Sequence, residues 1–183
     1  MNTYIILWVV AVLIIYIIIQ YNKLVALRNN RENAFADIDV QLKLRFDLVP
    51  NLVETVKWYA THEKSVFENV SNARSAFLWA GNADEKIEAN NMLTWALKSV
   101  FALAEAYPDL KANTNFLQLQ NELSDIENKI SAARRFFNSS TNEFNTYLQG
   151  FPTNILAGIF WFKAETMFQI ENEAERQNVK VQF

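Results

Sequence analysis

From Met1 to Asn22 the chain carries no charged side chain, and Tyr4 to Ile19 is an unbroken apolar and aromatic run. No other feature restricts the fold as much. As a helix, Tyr4–Tyr21 reaches about 26 Å, close to the ~30 Å hydrocarbon thickness of a bilayer. Lys23, Arg28 and Arg31 follow at once, where a membrane surface would hold them. A cleaved signal peptide would show a basic start, a shorter apolar core and small residues at its end. Met1-Asn2-Thr3 has no basic side chain, and the run closes on Ile17-Ile18-Ile19-Gln20-Tyr21. The segment is therefore expected to be an uncleaved single-pass anchor over residues 1–22, with a buried core helix as the remaining reading. Tyr4, Trp8, Tyr16, Tyr21 and Lys23 are the expected anchor residues. Tyr4 and Tyr21 suit the two interfacial belts, while Trp8 and Tyr16 lie deeper. Basic residues after the span and none before it predict a cytoplasmic C-terminal region.

The rest is long enough for one domain with its own core. A net charge of −3, with both signs mixed, argues against a nucleic-acid partner. Without cysteine there is no disulfide, thiol nucleophile or Cys-based zinc site, and the single histidine, His62, removes most imidazole chemistry. His62-Glu63 lacks the second histidine of a zinc-hydrolase helix. Glu171, Glu173 and Glu175 form an acidic cluster that reads best as a solvated face, and Asp37 and Asp39 do not share a helical face. The few glycines are scattered, so no phosphate loop or nucleophile elbow is expected. Asn69-Val70-Ser71 and Asn138-Ser139-Ser140 fit the glycosylation pattern but fall in expected helices. No catalytic, cofactor-binding or metal residue is predicted, and no cofactor.

The apolar spacing is helical. Phe116, Leu119, Leu123, Ile126, Ile130, Ala133, Phe137, Ser140, Phe144 and Tyr147 alternate by threes and fours, as in a coiled coil. Phe35, Ile38, Leu42, Phe46, Val49, Val53, Val56 and Ala60 form a second stripe. Val66, Val70, Ala73 and Phe77 continue it, and Leu93, Ala96, Val100, Leu103 and Tyr107 make another. Gly81, Pro108 and Gly150 divide the region into four helical stretches, with a further weak point at Thr61-His62-Glu63 and a kink expected near Pro50. Short links predict an all-α, up-and-down antiparallel four-helix bundle over residues 23–178, its first helix continuous with the anchor. Residues 179–183 read as a short extended tail.

Several segments resemble one family. Tyr21-Asn22-Lys23-Leu24-Val25-Ala26-Leu27-Arg28-Asn29 looks like the start of a LemA domain. Asp37-Ile38-Asp39-Val40-Gln41-Leu42-Lys43 and Asp47-Leu48-Val49-Pro50-Asn51-Leu52-Val53 are similar to the same family. So are Tyr107-Pro108-Asp109-Leu110-Lys111-Ala112-Asn113, Phe116-Leu117-Gln118-Leu119-Gln120, Glu127-Asn128-Lys129-Ile130 and Ala133-Arg134-Arg135-Phe136. The resemblance implies an anchored helical bundle in a prokaryotic inner membrane, with no established catalytic residues to carry over. Some family members are associated with magnetosome membrane formation. Others carry a lipoprotein cysteine that places the domain outside the cytoplasm, and this chain lacks it.

Phe151-Pro152-Thr153-Asn154-Ile155-Leu156-Ala157-Gly158-Ile159-Phe160-Trp161-Phe162 is apolar but too short to span a bilayer. It is expected to cap a bundle end, or to meet the membrane or another subunit through Phe151, Ile155, Phe160, Trp161 and Phe162. The expected function is a non-enzymatic membrane scaffold that associates with itself and shapes or organises the bilayer. A monomeric tethered adaptor that recruits another membrane protein, such as a protease or sensor, is the alternative. The partners are thus the lipid bilayer, further copies of the chain or such a recruited protein.

Overall fold

A computed structural model describes residues 2–168. It is all-helical, with no strand among the described residues. The helices are α1 (Asn2–Lys57), α2 (Lys64–Trp79), α3 (Ala83–Glu105), α4 (Pro108–Lys111), α5 (Thr114–Gln149) and α6 (Thr153–Ile159). Glu171, Glu173, Glu175 and the 179–183 tail lie outside the described residues. Two compact units form, one from residues 2–37 with 132–168 and the other from Ile38–Ser131, so α1 and α5 each contribute to both.

The expected breaks are where helices end. α1 stops at Lys57 and α2 starts at Lys64, on either side of Thr61-His62-Glu63. α1 continues unbroken through Pro50, whose missing N–H leaves the Phe46 carbonyl without its usual i+4 donor. Phe46 and Val49 before the proline and Leu52 after it are buried, so packing holds the helix where hydrogen bonding is weakened. At the next break, Asn82 caps α3: its Oδ1 accepts from the Glu85 N–H at 2.9 Å, while Glu85 Oε2 accepts from the Gly81 N–H at 2.6 Å. This reciprocal pairing satisfies backbone donors that a helix start leaves open.

In the Ile38–Ser131 unit the stripes face inward as their spacing requires. Ile38, Leu42, Leu52, Val56, Val70, Leu93, Val100, Leu110 and Ile130 are buried, each worth about 1.5–3 kcal/mol of apolar transfer. Phe46 and Phe77 stack with ring centroids 4.0 Å apart, and α2 packs against α3. One cation sits inside this core. Arg45, 5% exposed, donates from Nη1 to Asn90 Oδ1 (2.6 Å) and Thr94 Oγ1 (3.1 Å), and pairs with Glu127 Oε2 at 2.9 Å. It thereby ties α1 to α3 and α5.

The unit containing the N-terminus is built on Leu24, Leu27 and Phe144, with Tyr147, Leu148 and Phe162 packed against them. Its C-terminal part differs from the expected fourth long helix. After the cis Phe151–Pro152 bond come only the seven residues of α6, then non-helical chain to Phe168. Two asparagines on α5 hold that chain. Asn145 Nδ2 donates to the Glu165 carbonyl (2.8 Å), and the Glu165 N–H donates to Asn145 Oδ1 (2.9 Å). Asn138 brackets the backbone of Phe168 in the same way, at 3.0 and 2.7 Å. The register is a match of rises: seven helical residues advance about 10.5 Å and three extended residues about 10 Å. Arg31 adds an ion pair to Glu165 (3.2 Å), and the Arg134 guanidinium lies 4.5 Å from the Phe168 ring centre. These polar anchors satisfy backbone groups that a fourth helix would have satisfied internally.

Candidate membrane interface

The first twenty residues of α1 present their apolar side chains outward. Tyr4 is 79% exposed and Trp8 73%, and every side chain from Ile5 to Ile19 lies open on the helix. α1 is long and apolar enough at this end to cross a membrane, and the apolar window buries nothing against the rest of the described protein. Water would penalise such a surface at about 25 cal/mol per Å², which lipid removes.

The lower boundary of this surface is where protein contacts begin. Tyr16 and Tyr21 are only about a third exposed, and Gln20, the sole amide in the run's end, accepts a hydrogen bond from the Tyr147 hydroxyl. Lys23 lies 4.6 Å from the Tyr147 ring centre, an arrangement that keeps its charge next to an amphipathic aromatic. Leu24, one residue on, is fully buried. Within four residues α1 passes from lipid-like surroundings to a packed core.

α6 returns to this same level. Phe160 packs on Tyr21 with centroids 4.8 Å apart, and Phe162 meets Tyr21 at 6.0 Å and Phe144 at 6.4 Å. Thr153, Leu156 and Ala157 form the buried face of α6, while Ile155 and Ile159, four apart, face outward. Phe151 is 83% exposed and Trp161 85%. Of the five residues singled out here from sequence, Phe162 thus packs inward, Phe160 is partly covered, and Phe151, Ile155 and Trp161 point away from the core.

Trp161 owes its position to the way α6 stops. The Phe162 N–H donates to the Ala157 carbonyl and the Phe160 N–H to the Leu156 carbonyl, both at 2.9 Å. This closing turn requires a left-handed residue just beyond the helix, a place that glycine or asparagine usually takes. Here Trp161 takes it, at φ 64°, against a penalty of about 1–2 kcal/mol for an L-residue. Phe162 is then turned back onto the core and Trp161 is held outward. The sequence carries no local sign of this, nor of the Asn138 and Asn145 brackets, since an asparagine beside a helical stripe reads as surface. Arg45 left a trace: three residues after Leu42 and four before Val49, it falls on the buried face.

No three His, Cys, Asp or Glu side chains gather as a metal site among the described residues. The chemistry on offer is apolar and aromatic surface at the foot of a bilayer-length helix. The sequence profile of the LemA family matches residues 34–183. The chain belongs to the LemA family. The match begins inside α1, after the Tyr21–Asn29 segment that resembles the start of the domain. Magnetosome protein MamQ 1 of Paramagnetospirillum magneticum is 24% identical, across 84% of this chain and 66% of its own length. MamQ of Magnetospirillum gryphiswaldense is 24% identical, across 83% and 65%. This LemA-family chain thus spans just under two thirds of these relatives. Protein LemA of Metamycoplasma hominis is 26% identical, across 86% of this chain and 72% of its own. With its exposed apolar helix and these relatives, this LemA protein is a membrane protein.

Proposed function

We propose that this LemA protein is a non-enzymatic, single-pass membrane scaffold that associates with copies of itself and so organises or shapes the bilayer. One observation carries this reading: all five tryptophans of the chain are exposed. Trp8 is 73% open, Trp58 83%, Trp79 87%, Trp95 63% and Trp161 85%. Tryptophan is highly buried on average in isolated domains and is enriched at contact surfaces between proteins. Trp8 belongs to the lipid-facing run. Trp58 follows the end of α1, Trp79 ends α2 beside exposed Leu78, and Trp95 shares a face of α3 with Met92. Trp58, Trp79 and Trp95 make surfaces suited to a partner chain, and confinement to a membrane raises the effective concentration of copies.

The three-residue link between α2 and α3 supports an antiparallel bundle arrangement, and Lys23, Arg28 and Arg31 support an inner membrane with the helical region inside. Relatives named as magnetosome proteins favour work on a cellular structure over turnover of a substrate.

The test is particle mass and shape of the full chain in mild detergent, by mass photometry and electron microscopy. Uniform oligomers that fall to monomers in the Trp58→Ser, Trp79→Ser, Trp95→Ser triple variant support the scaffold. Monomers at every concentration overturn it, and leave the tethered adaptor, whose partner the same tryptophans would bind.

A further inference from the structure

We propose that α6 and its flanks form a second membrane contact, an in-plane element that inserts Trp161 and its apolar neighbours into the headgroup layer beside the anchor. The height of the element comes first. Tyr21 closes the bilayer-length run, which puts its ring at the membrane–water boundary. Phe160 and Phe162 both lie against that ring, at 4.8 and 6.0 Å, and Tyr147, in the last turn of α5, bonds to Gln20. α6 therefore ends at the depth of Tyr21.

The chemistry of its outer face fits that depth. No charged side chain occurs from Phe151 to Phe162. Phe151, Ile155, Ile159 and Trp161 are more than half exposed, and Phe160 nearly so. A Cβ built on Gly158 meets nothing within 4 Å, so this side of α6 is open. Thr153, Leu156 and Ala157 hold the other face to the protein, which makes α6 amphipathic across its short length. Lys163 comes directly after the apolar stretch, and Lys23 stands on the neighbouring helix, both placed to meet anionic phospholipid headgroups.

Lipid, and not a second copy, is the occupant that continuity selects. The patch adjoins a surface already in the bilayer, and its depth places it in the aromatic belt, where tryptophan partitions. Anchoring by α1 alone leaves that helix free to turn about its own axis. A second contact at α6 restrains that rotation and holds the unit at a set tilt to the bilayer. This inference stands apart from self-association: a monomer with Trp161 in lipid keeps it and removes the scaffold reading.

The test uses the full chain reconstituted in phosphatidylcholine–phosphatidylglycerol vesicles, with Trp161 left as the sole tryptophan by W8F, W58F, W79F and W95F. Lipids brominated at shallow or deep acyl positions report where the indole lies. The expected result is a blue-shifted Trp161 emission, quenched more than half by shallow bromines and less by deep ones. A chain with Trp58 as its sole tryptophan is expected to show no quenching. Emission of a water-exposed indole, unaffected by either lipid, overturns the proposal. So does a blue-shifted but unquenched emission, which means protein covers the site. Should the tryptophan-depleted chain lose helicity, a nitroxide on W161C gives the same reading, since the chain has no cysteine of its own. Greater accessibility to oxygen than to a water-soluble nickel complex is then expected, and the reverse overturns the proposal.

Discussion

At Trp161 glycine is expected to be more stabilising than alanine, the reverse of their usual order. Both substitutions remove the same indole, which is 85% exposed, so whatever contact it makes cancels between them. What differs is the backbone. At φ 64° alanine keeps the left-handed penalty of about 1–2 kcal/mol, and glycine does not. Glycine loses about 0.4–1 kcal/mol of this advantage through the greater freedom of its unfolded chain. The difference that remains is about 0.5–1 kcal/mol in favour of glycine. For a chain of this size that is a rise of about 1–4 °C in midpoint. Thermal unfolding of full-length W161G and W161A in one detergent, followed by far-UV circular dichroism, measures it. Equal midpoints, or a higher one for alanine, refute a left-handed residue at the end of α6. That in turn removes the reason for Trp161 to be held outward.

Other expectations concern the polar brackets and the core. Asn145→Ala breaks both hydrogen bonds to Glu165 and should cost about 1–3 kcal/mol, seen as faster amide exchange across residues 162–168. Arg45→Ala leaves the buried Asn90 amide without its donor and should cost about 3 kcal/mol in denaturant unfolding. Glu127→Gln keeps an acceptor beside Arg45 but removes the counter-charge of a buried cation, and should cost about 1–3 kcal/mol. Leu24→Ala, at a fully buried site directly below the membrane level, should cost about 2–5 kcal/mol in detergent unfolding. Asn82→Ala removes the cap of α3 for about 1 kcal/mol, and Asn82→Ser should restore most of it.

Helix identity and helix ends were written in the linear chain. A run of sixteen or more apolar residues has few solutions other than a membrane helix, because only lipid removes that area from water without a protein partner. The 3-4 stripes marked the buried faces of α1, α2, α3 and α5, since a helix brings those positions to one side whatever it packs against. Gly81, Pro108 and Gly150 marked the ends for local reasons: they set backbone angles and remove a donor or a side chain. All of this depends on near neighbours in sequence.

Tertiary structure decided what depends on residues far apart. The stretch after Gly150 could have formed a helix by its composition, but seven residues of helix and an extended segment form there. Asn138 and Asn145 on α5 supply the hydrogen bonds that an extended backbone lacks. Arg45, flanked by stripe residues Leu42 and Phe46, can be buried only because Asn90, Thr94 and Glu127 come from two other helices to satisfy it. Likewise, the aromatic content of 151–162 was plain, but its division between the core and the outside was not. Phe162 turns inward and Trp161 outward because one left-handed residue follows α6, and Tyr21, 139 and 141 residues earlier in the chain, receives Phe160 and Phe162. Periodicity reports which face of a helix is apolar. Whether protein, lipid or another copy covers that face is settled by the distances between elements that only the folded chain brings together.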